Sequence, residues 1–211
     1  MIVGSIKEDL ALEKRVSITP ETAKNLMGLG LKVCIEKDYA THLGIDDNEY
    51  KKSGVEIKDS PSEVLNSSNL IIKVNCPSEN EINLLKEKTI LIGMLNPSKN
   101  KDRIEKIIKR KIKTFSLELL PRITRAQSMD VLSSQSNLAG YRAVIDCVAE
   151  FEKAVPMMMT AAGTVPAAKV LVIGAGVAGL QAIATAKRLG AIVSATDVRA
   201  ASKEQVESLG G

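Results

Sequence analysis

The chain has 211 residues, 45% of them apolar and 26% charged, with 29 Lys and Arg against 25 Asp and Glu for a formal charge of +4. This composition excludes a disordered tail, a collagen-like repeat and a disulfide-stapled mini-protein, and at roughly 150 residues per domain the length corresponds to about 1.4 domains. With no Trp, three Tyr and two Phe, the core is predicted to be aliphatic, and almost no stacking platform remains for nucleic acid.

Through residue 119, short β-branched apolar runs alternate with helical patterns. Strands are predicted over 1–6, 31–36, 69–74, 89–95 and 113–119. Between them a helix is predicted over 19–30, with Thr19 as N-cap, Pro20 at the first helical position and Gly28 or Gly30 closing it. Further helices are predicted over 60–68, 78–88 and 101–113. The last is basic, but Ile104, Ile107, Ile108 and Ile112 recur at helical spacing, so it reads as an amphipathic surface helix and not as a nucleic-acid or membrane patch. Strands alternating with helices imply a parallel sheet covered on both faces.

From 134 to 152 the apolar positions Leu138, Ala139, Tyr141, Ala143, Val144, Cys147, Val148 and Phe151 predict a long helix bridging two domains. Residues 157–168 are uncharged and read as a connector lying against protein, with the Met157–Met159 run as core filler. Cys34, Cys76 and Cys147 are scattered and lack C-x-x-C spacing, as expected of reduced, buried thiols in a cytosolic protein. His42 is the single histidine, so no transition-metal site is expected. Lys7, Glu8 and Asp9 interrupt the N-terminus before a secretory signal could form, and the uncharged run 170–186 is too short and glycine-rich to span a bilayer.

The segment 169–199 carries the motif with a mechanism. An apolar strand, KVLVI, runs into Gly174-x-Gly176-x-x-Gly179, then a helix ending near Gly190, then a second strand that ends on Asp197, 18 positions past the last glycine. Gly174 permits a tight turn, Gly176 lets the backbone approach a pyrophosphate, and Gly179 permits close packing of helix on strand. The amides of Ala175, Gly176 and Val177 are expected to face the phosphates at the positive helix end. Asp197 would accept hydrogen bonds from an adenosine ribose, which favours NAD over NADP by like-charge repulsion. Arg199 leaves the opposite pairing open, and so does a Rossmann unit that binds no nucleotide.

A second constellation lies at 119–142, where Arg122, Arg125, Gln127, Asp130, Ser133 and Ser134 fall within a dozen or so residues. A Gln amide offers both the donor and the acceptor that a nicotinamide carboxamide needs. The same residues read equally as an ordinary helix start with Ser133 or Ser134 as N-cap.

Three stretches, PRITRAQSMD (121–130), SNLAGYRA (136–143) and TAAGTVPAAKVLVIGAGVAG (160–179), resemble the NAD(H)-binding components of proton-translocating nicotinamide nucleotide transhydrogenases, and the similarity starts at EKRVSITP (13–20). The resemblance implies an α/β protein with two Rossmann-like parallel-sheet domains joined by a long helix. It implies a homodimer on the cytoplasmic side of the inner membrane, peripherally attached through a membrane-embedded proton-channel component and an NADP(H)-binding component, with no nucleic-acid partner. Hydride would pass directly between NADH here and NADP⁺ on the partner, coupled to proton translocation. Carried across, the family's mobile loop falls on Arg122, Gln127 and Asp130 with Ser133 beside them, all holding the nicotinamide end. The cofactor-binding set is then Arg125, Gly174, Ala175, Gly176, Val177, Gly179, Asp197, Val198 and Arg199.

Alanine dehydrogenase shares the two-domain layout, and Arg15 and Lys73 match positions that handle a keto-acid carboxylate there. Its acid/base histidine would fall where this sequence has Asn96, so Arg15 and Lys73 read as remnants of a shared scaffold. The predicted organisation is an N-terminal α/β domain over 1–133, a linker helix and connector over 134–166, and the first β-α-β portion of a Rossmann domain over 167–211. That second domain is expected to be truncated, since an adenine pocket needs more strands. The chain is accordingly expected to be a portion of a catalytic component, the alternatives being an alanine dehydrogenase-like oxidoreductase or a non-catalytic NAD-binding or assembly fragment.

Overall fold

The computed structural model describes residues 1–210. The chain forms two compact units, Met1–Met129 and the segment from Asp130 onward.

In the first unit the strands β1 (Ile2–Ser5), β2 (Lys32–Glu36), β3 (Glu56–Lys58), β4 (Leu70–Asn75), β5 (Ile90–Met94) and β6 (Lys113–Ser116) make one sheet in the order β3-β2-β1-β4-β5-β6. Every pairing is parallel. Crossovers run through α1 (Pro20–Gly28), α2 (Asp47–Lys52), α3 (Pro61–Ser67), α4 (Glu79–Leu84) and α5 (Lys101–Lys109). Side chains alternate across the pleat. Val3, Val33 and Ile35 enter one core with Ile18, Ala23 and Tyr50, whereas Cys34, Ile71 and Leu91 enter the other with Val64, Leu65 and Ile107. The order reverses between β1 and β4, and a crevice opens beyond the carboxyl ends of strands at such a point.

Polar caps fix where the helices start. Thr19 and Thr22 cap α1 reciprocally ahead of Pro20, Asp46 and Glu49 do the same for α2, and Ser78 with Glu81 for α4. Predicted helix 78–88 stops at Leu84, because Leu85 turns extended and is itself buried in the core. Predicted helix 101–113 stops at Lys109, since Lys111 adopts φ +57° and Lys113 opens β6. Both α2 and β3 escaped prediction, because a six-residue helix and a three-residue strand are too short to display a period. The core is less purely aliphatic than composition suggests. Tyr39 and Tyr50 are buried edge to face at 6.0 Å, and the Tyr50 hydroxyl donates to the Ile18 carbonyl at 2.8 Å.

The second unit contains α6 (Val131–Glu150), the hairpin β7 (Met158–Thr160) and β8 (Gly163–Val165), β9 (Lys169–Ile173), α7 (Val177–Arg188), β10 (Ile192–Thr196) and α8 (Ser202–Ser208). β9 and β10 pair in parallel. Val144 and Val148 of α6 share a core with Ile183 and Ala186 of α7 and Val193 of β10, so the long helix is a layer of this unit. Two expectations change here. Met157, Met158 and Met159 are exposed on and beside the hairpin instead of filling a core, and Cys147 is exposed while Cys34 and Cys76 are buried. No helix among the described residues is long and apolar enough to cross a membrane.

Helices α6 and α7 cross closely at Gly140, where a Cβ would stand 2.0 Å from the Ala178 carbonyl oxygen and 3.0 Å from its Cα. Gly140→Ala should therefore destabilise the second unit by about 1–2 kcal/mol, the overpacking exceeding the roughly 1 kcal/mol of helix propensity gained. Chemical denaturation with unchanged m-value is the check, and equal or greater stability would contradict the close crossing.

Candidate functional site

The turn between β9 and α7 is built by three glycines with different duties. Gly174 sits at φ +96°, in the left-handed region that glycine adopts freely. A Cβ on Gly179 would lie 1.7 Å from the Gly174 carbonyl oxygen, so only hydrogen fits between helix and turn. Gly176 differs from both. It has ordinary extended geometry as the N-cap of α7 (φ −79°, ψ −169°), and a Cβ there would meet no atom within 4 Å. The chain thus does not need glycine at 176 for its own packing, and the missing side chain keeps open the approach to a helix N-terminus that lacks a side-chain cap. Unsatisfied amides and the positive end of a twelve-residue helix make that approach suited to an anion.

Asp197, just past β10, reaches back across this turn. Its Oδ2 accepts the Ala175 N–H at 2.7 Å, which is a correction to the expectation that this amide faces a phosphate. That leaves Gly176 and Val177 to present amides. The Asp197 carboxylate also accepts from the backbone N–H, Nε and Nη2 of Arg199. These bonds, that from the Arg199 guanidinium foremost, hold its pKa well below the usual carboxylate range. Beside it lies a cleft of about 460 Å³ lined by Asp197, Arg199, Lys203 and Glu207 among others. Val198 is fully exposed between the two charged residues. The donor set fits a dinucleotide: open amides for a pyrophosphate, and an ionised carboxylate for a ribose diol.

The polar loop is divided between the units. Arg122, Arg125 and Gln127 are exposed on the first, the latter two in a 3-10 turn, Thr124–Met129, anchored by buried Ala126. Asp130 and Ser133 open the second. There Asp130, not Ser133 or Ser134, caps α6, its Oδ1 accepting the Ser133 N–H at 2.9 Å and its Oδ2 the Ser133 hydroxyl at 2.6 Å. The described residues contain no group of three or more side chains suited to a metal.

A family model for the alanine dehydrogenase/PNT N-terminal domain matches residues 4–139, and the corresponding C-terminal domain model matches residues 143–211. The chain belongs to the alanine dehydrogenase/PNT family. It is 54% identical over 216 residues to an NAD(P) transhydrogenase subunit alpha of Rhodospirillum rubrum, an alignment covering 100% of this chain and 56% of that protein. An alanine dehydrogenase of Methanococcus maripaludis is 31% identical over 94% of this chain and 53% of its own length. The crystal structure of transhydrogenase from Sinorhizobium meliloti matches with a TM-score of 0.96 at 51% identity, covering 100% of this chain and 63% of that one. The chain spans between half and two thirds of the length of these relatives.

Within this family, the first unit has a crevice of its own at the strand-order reversal. About 710 Å³ in volume, it is lined by Glu8, Glu13, Lys73, Asn75, Glu81 and Asn96 among others. Lys73 lies at its floor with 4% of its side chain exposed, 2.9 Å from Glu81 Oε1 and 3.6 Å from Glu8 Oε2, and it also donates to the Lys7 carbonyl. Arg15 makes a side-on pair with Glu13, with Nε at 2.8 Å and Nη2 at 2.6 Å. That pairing, chiefly the hydrogen bond from the Arg15 side chain, pulls the Glu13 pKa down to about 2. Both cations noted in the sequence thus face carboxylates of their own chain. Asn96, at φ +45°, carries an amide with no proton to exchange. Sequence reasoning missed Glu8, Glu13 and Glu81 as partners. Only Glu81 carried a legible signal, as the last residue of the Ser78-x-x-Glu81 capping box.

Proposed function

We propose that this chain is the NAD(H)-binding portion of a transhydrogenase α subunit, and that hydride passes directly between its NADH and NADP⁺ held by a partner component, coupled to proton translocation. The observation that carries the reading is Gly176, a glycine that the fold itself does not require, at an uncapped helix start beside the Asp197 carboxylate. When bound, NADH supplies the hydride from its nicotinamide ring, and the chain's residues have only to bind and orient. Gly176 and Val177 amides hold the pyrophosphate, Asp197 the adenosine ribose, and Val198 borders the adenine. Gln127 orients the nicotinamide carboxamide by donating and accepting at once, with Arg122, Arg125, Asp130 and Ser133 supporting that end. The proposal includes a homodimer, an NADP(H)-binding component and a membrane-embedded component that keeps this chain peripheral on the cytoplasmic side.

An alanine dehydrogenase activity is disfavoured by the carboxylates that already neutralise Lys73 and Arg15, because an incoming keto acid would meet net negative charge. Stopped-flow hydride transfer between the full-length protein, loaded with an NAD analogue, and an NADP(H)-binding component tests the proposal. Gln127→Ala should slow transfer by about 10²-fold, the penalty typical of slight misplacement of reacting groups, with NADH affinity nearly unchanged. Absence of transfer in the unsubstituted protein, or parallel loss of rate and affinity in the variant, would refute it.

A further inference from the structure

Four hydrogen bonds converge on the Asp197 carboxylate. Oδ2 accepts from the Ala175 N–H at 2.7 Å and Arg199 Nη2 at 3.1 Å, and Oδ1 accepts from the Arg199 N–H at 2.8 Å and its Nε at 2.9 Å. A carboxylate offers about four lone-pair sites, so none is left over. Arg199 Nη2 also donates to the Ala175 carbonyl at 3.3 Å, which clamps the guanidinium across the turn. Asp197 is the inner partner, 10% exposed against 61% for Arg199, so the guanidinium lies between the carboxylate and solvent. The other cation lining the adjacent cleft, Lys203, has its own carboxylate in Glu207 at 3.7 Å.

Two ligands would meet this arrangement differently. An unphosphorylated ribose brings two hydroxyl donors that replace the two guanidinium bonds on Asp197, leaving the carboxylate satisfied. A 2′-phosphate brings negative charge and acceptors only, so it draws Arg199 away at the expense of leaving the carboxylate beside a second anion.

Building on the reading of this turn as the adenosine end of an NAD site, we propose that Asp197 selects against 2′-phosphorylated nucleotides by sequestering Arg199, a latent 2′-phosphate ligand. Selectivity then belongs to the pair. An uncharged residue at 197 releases Arg199 to take the phosphate in a bidentate grip.

Equilibrium binding of NADH and NADPH to the full-length protein, followed by nucleotide fluorescence, tests this in four forms: unsubstituted, Asp197→Asn, Arg199→Ala, and both together. Asn keeps an oxygen to accept the Ala175 N–H. Asp197→Asn should strengthen NADPH binding at least tenfold, and the gain should shrink as salt is raised, since it rests on an exposed charge pair. Arg199→Ala should leave NADPH binding weak, and the double variant should lose the gain. No gain in Asp197→Asn while the unsubstituted protein binds NADH would overturn the proposal and leave the NAD site standing, as would an equal gain in the double variant. An unsubstituted protein that binds neither nucleotide would overturn the site reading and the proposal together. Should thermal unfolding show Asp197→Asn to be misfolded, Asp197→Ser carries the same comparison.

Discussion

Gly179→Ala is expected to destabilise the second unit by about 3 kcal/mol or more, at the upper end of overpacking penalties, and to remove NADH binding along with it. The obstacle is a backbone carbonyl: the added Cβ would stand 1.7 Å from the Gly174 oxygen and 2.8 Å from its carbon. No side-chain rotamer relieves that contact. Either α7 lifts from the turn, or Gly174 leaves the left-handed geometry that orients the turn toward the helix. Gly176→Ala provides the contrast. Nothing lies within 4 Å of a Cβ there, so stability should change by less than about 1 kcal/mol, the scale of an N-cap change. NADH affinity should nonetheless fall at least tenfold, equivalent to about 1.4 kcal/mol. Thermal unfolding and NADH titration of both variants separate the roles. Comparable destabilisation by the two, or undiminished binding in Gly176→Ala, would contradict the assignment of 176 to a ligand.

Lys73→Met is expected to destabilise the first unit by about 3–5 kcal/mol at neutral pH, the usual consequence of removing one partner from a buried ion pair. Methionine fills the volume, so the loss is electrostatic. Glu8, with 6% of its side chain exposed, keeps the Val74 N–H on one oxygen at 2.7 Å but loses the cation on the other. Burial already raises the Glu8 pKa above 4.5, with Lys73 the chief opposing influence, so the substitution raises it further. A carboxyl group with a raised folded-state pKa favours the native state below its unfolded value of 4.5, and that contribution is lost as pH rises through the folded value. The destabilisation of Lys73→Met should therefore shrink on acidification toward pH 4.5. Urea titrations at several pH values are the measurement. A pH-independent effect would mean that volume or packing, not the uncompensated carboxylate, sets the loss.

The parallel strand-helix alternation of the first unit was legible because β1, β2, β4, β5 and β6 are β-branched runs separated by capped helices. Thr19 with Pro20 marked one such boundary, and the strand-turn-helix-strand motif marked the glycines and Asp197 by spacing alone. Residues 47–58 and the hairpin at 158–165 stayed illegible, because elements of three to six residues end before a period repeats. The Met157–Met159 run was misjudged for a related reason: apolarity in sequence does not say which neighbours a side chain will find.

What the sequence by itself determined is the class of each local choice: where glycine replaces a side chain, where a Ser, Thr or Asp begins a helix, and which strand ends in a carboxylate. Backbone conformation and capping are decided within a few residues, so a short window contains their causes. Only the tertiary structure decided which glycine the fold can spare, which amide Asp197 consumes, and which carboxylates hold Lys73. Each of those answers depends on atoms brought together from distant stretches of the chain. Gly174 and Gly179 are required by contacts that exist only once α7 has packed on its turn, and Glu8 lies 65 residues from the lysine it neutralises. Charge and volume act through space, and that distance is set by the fold.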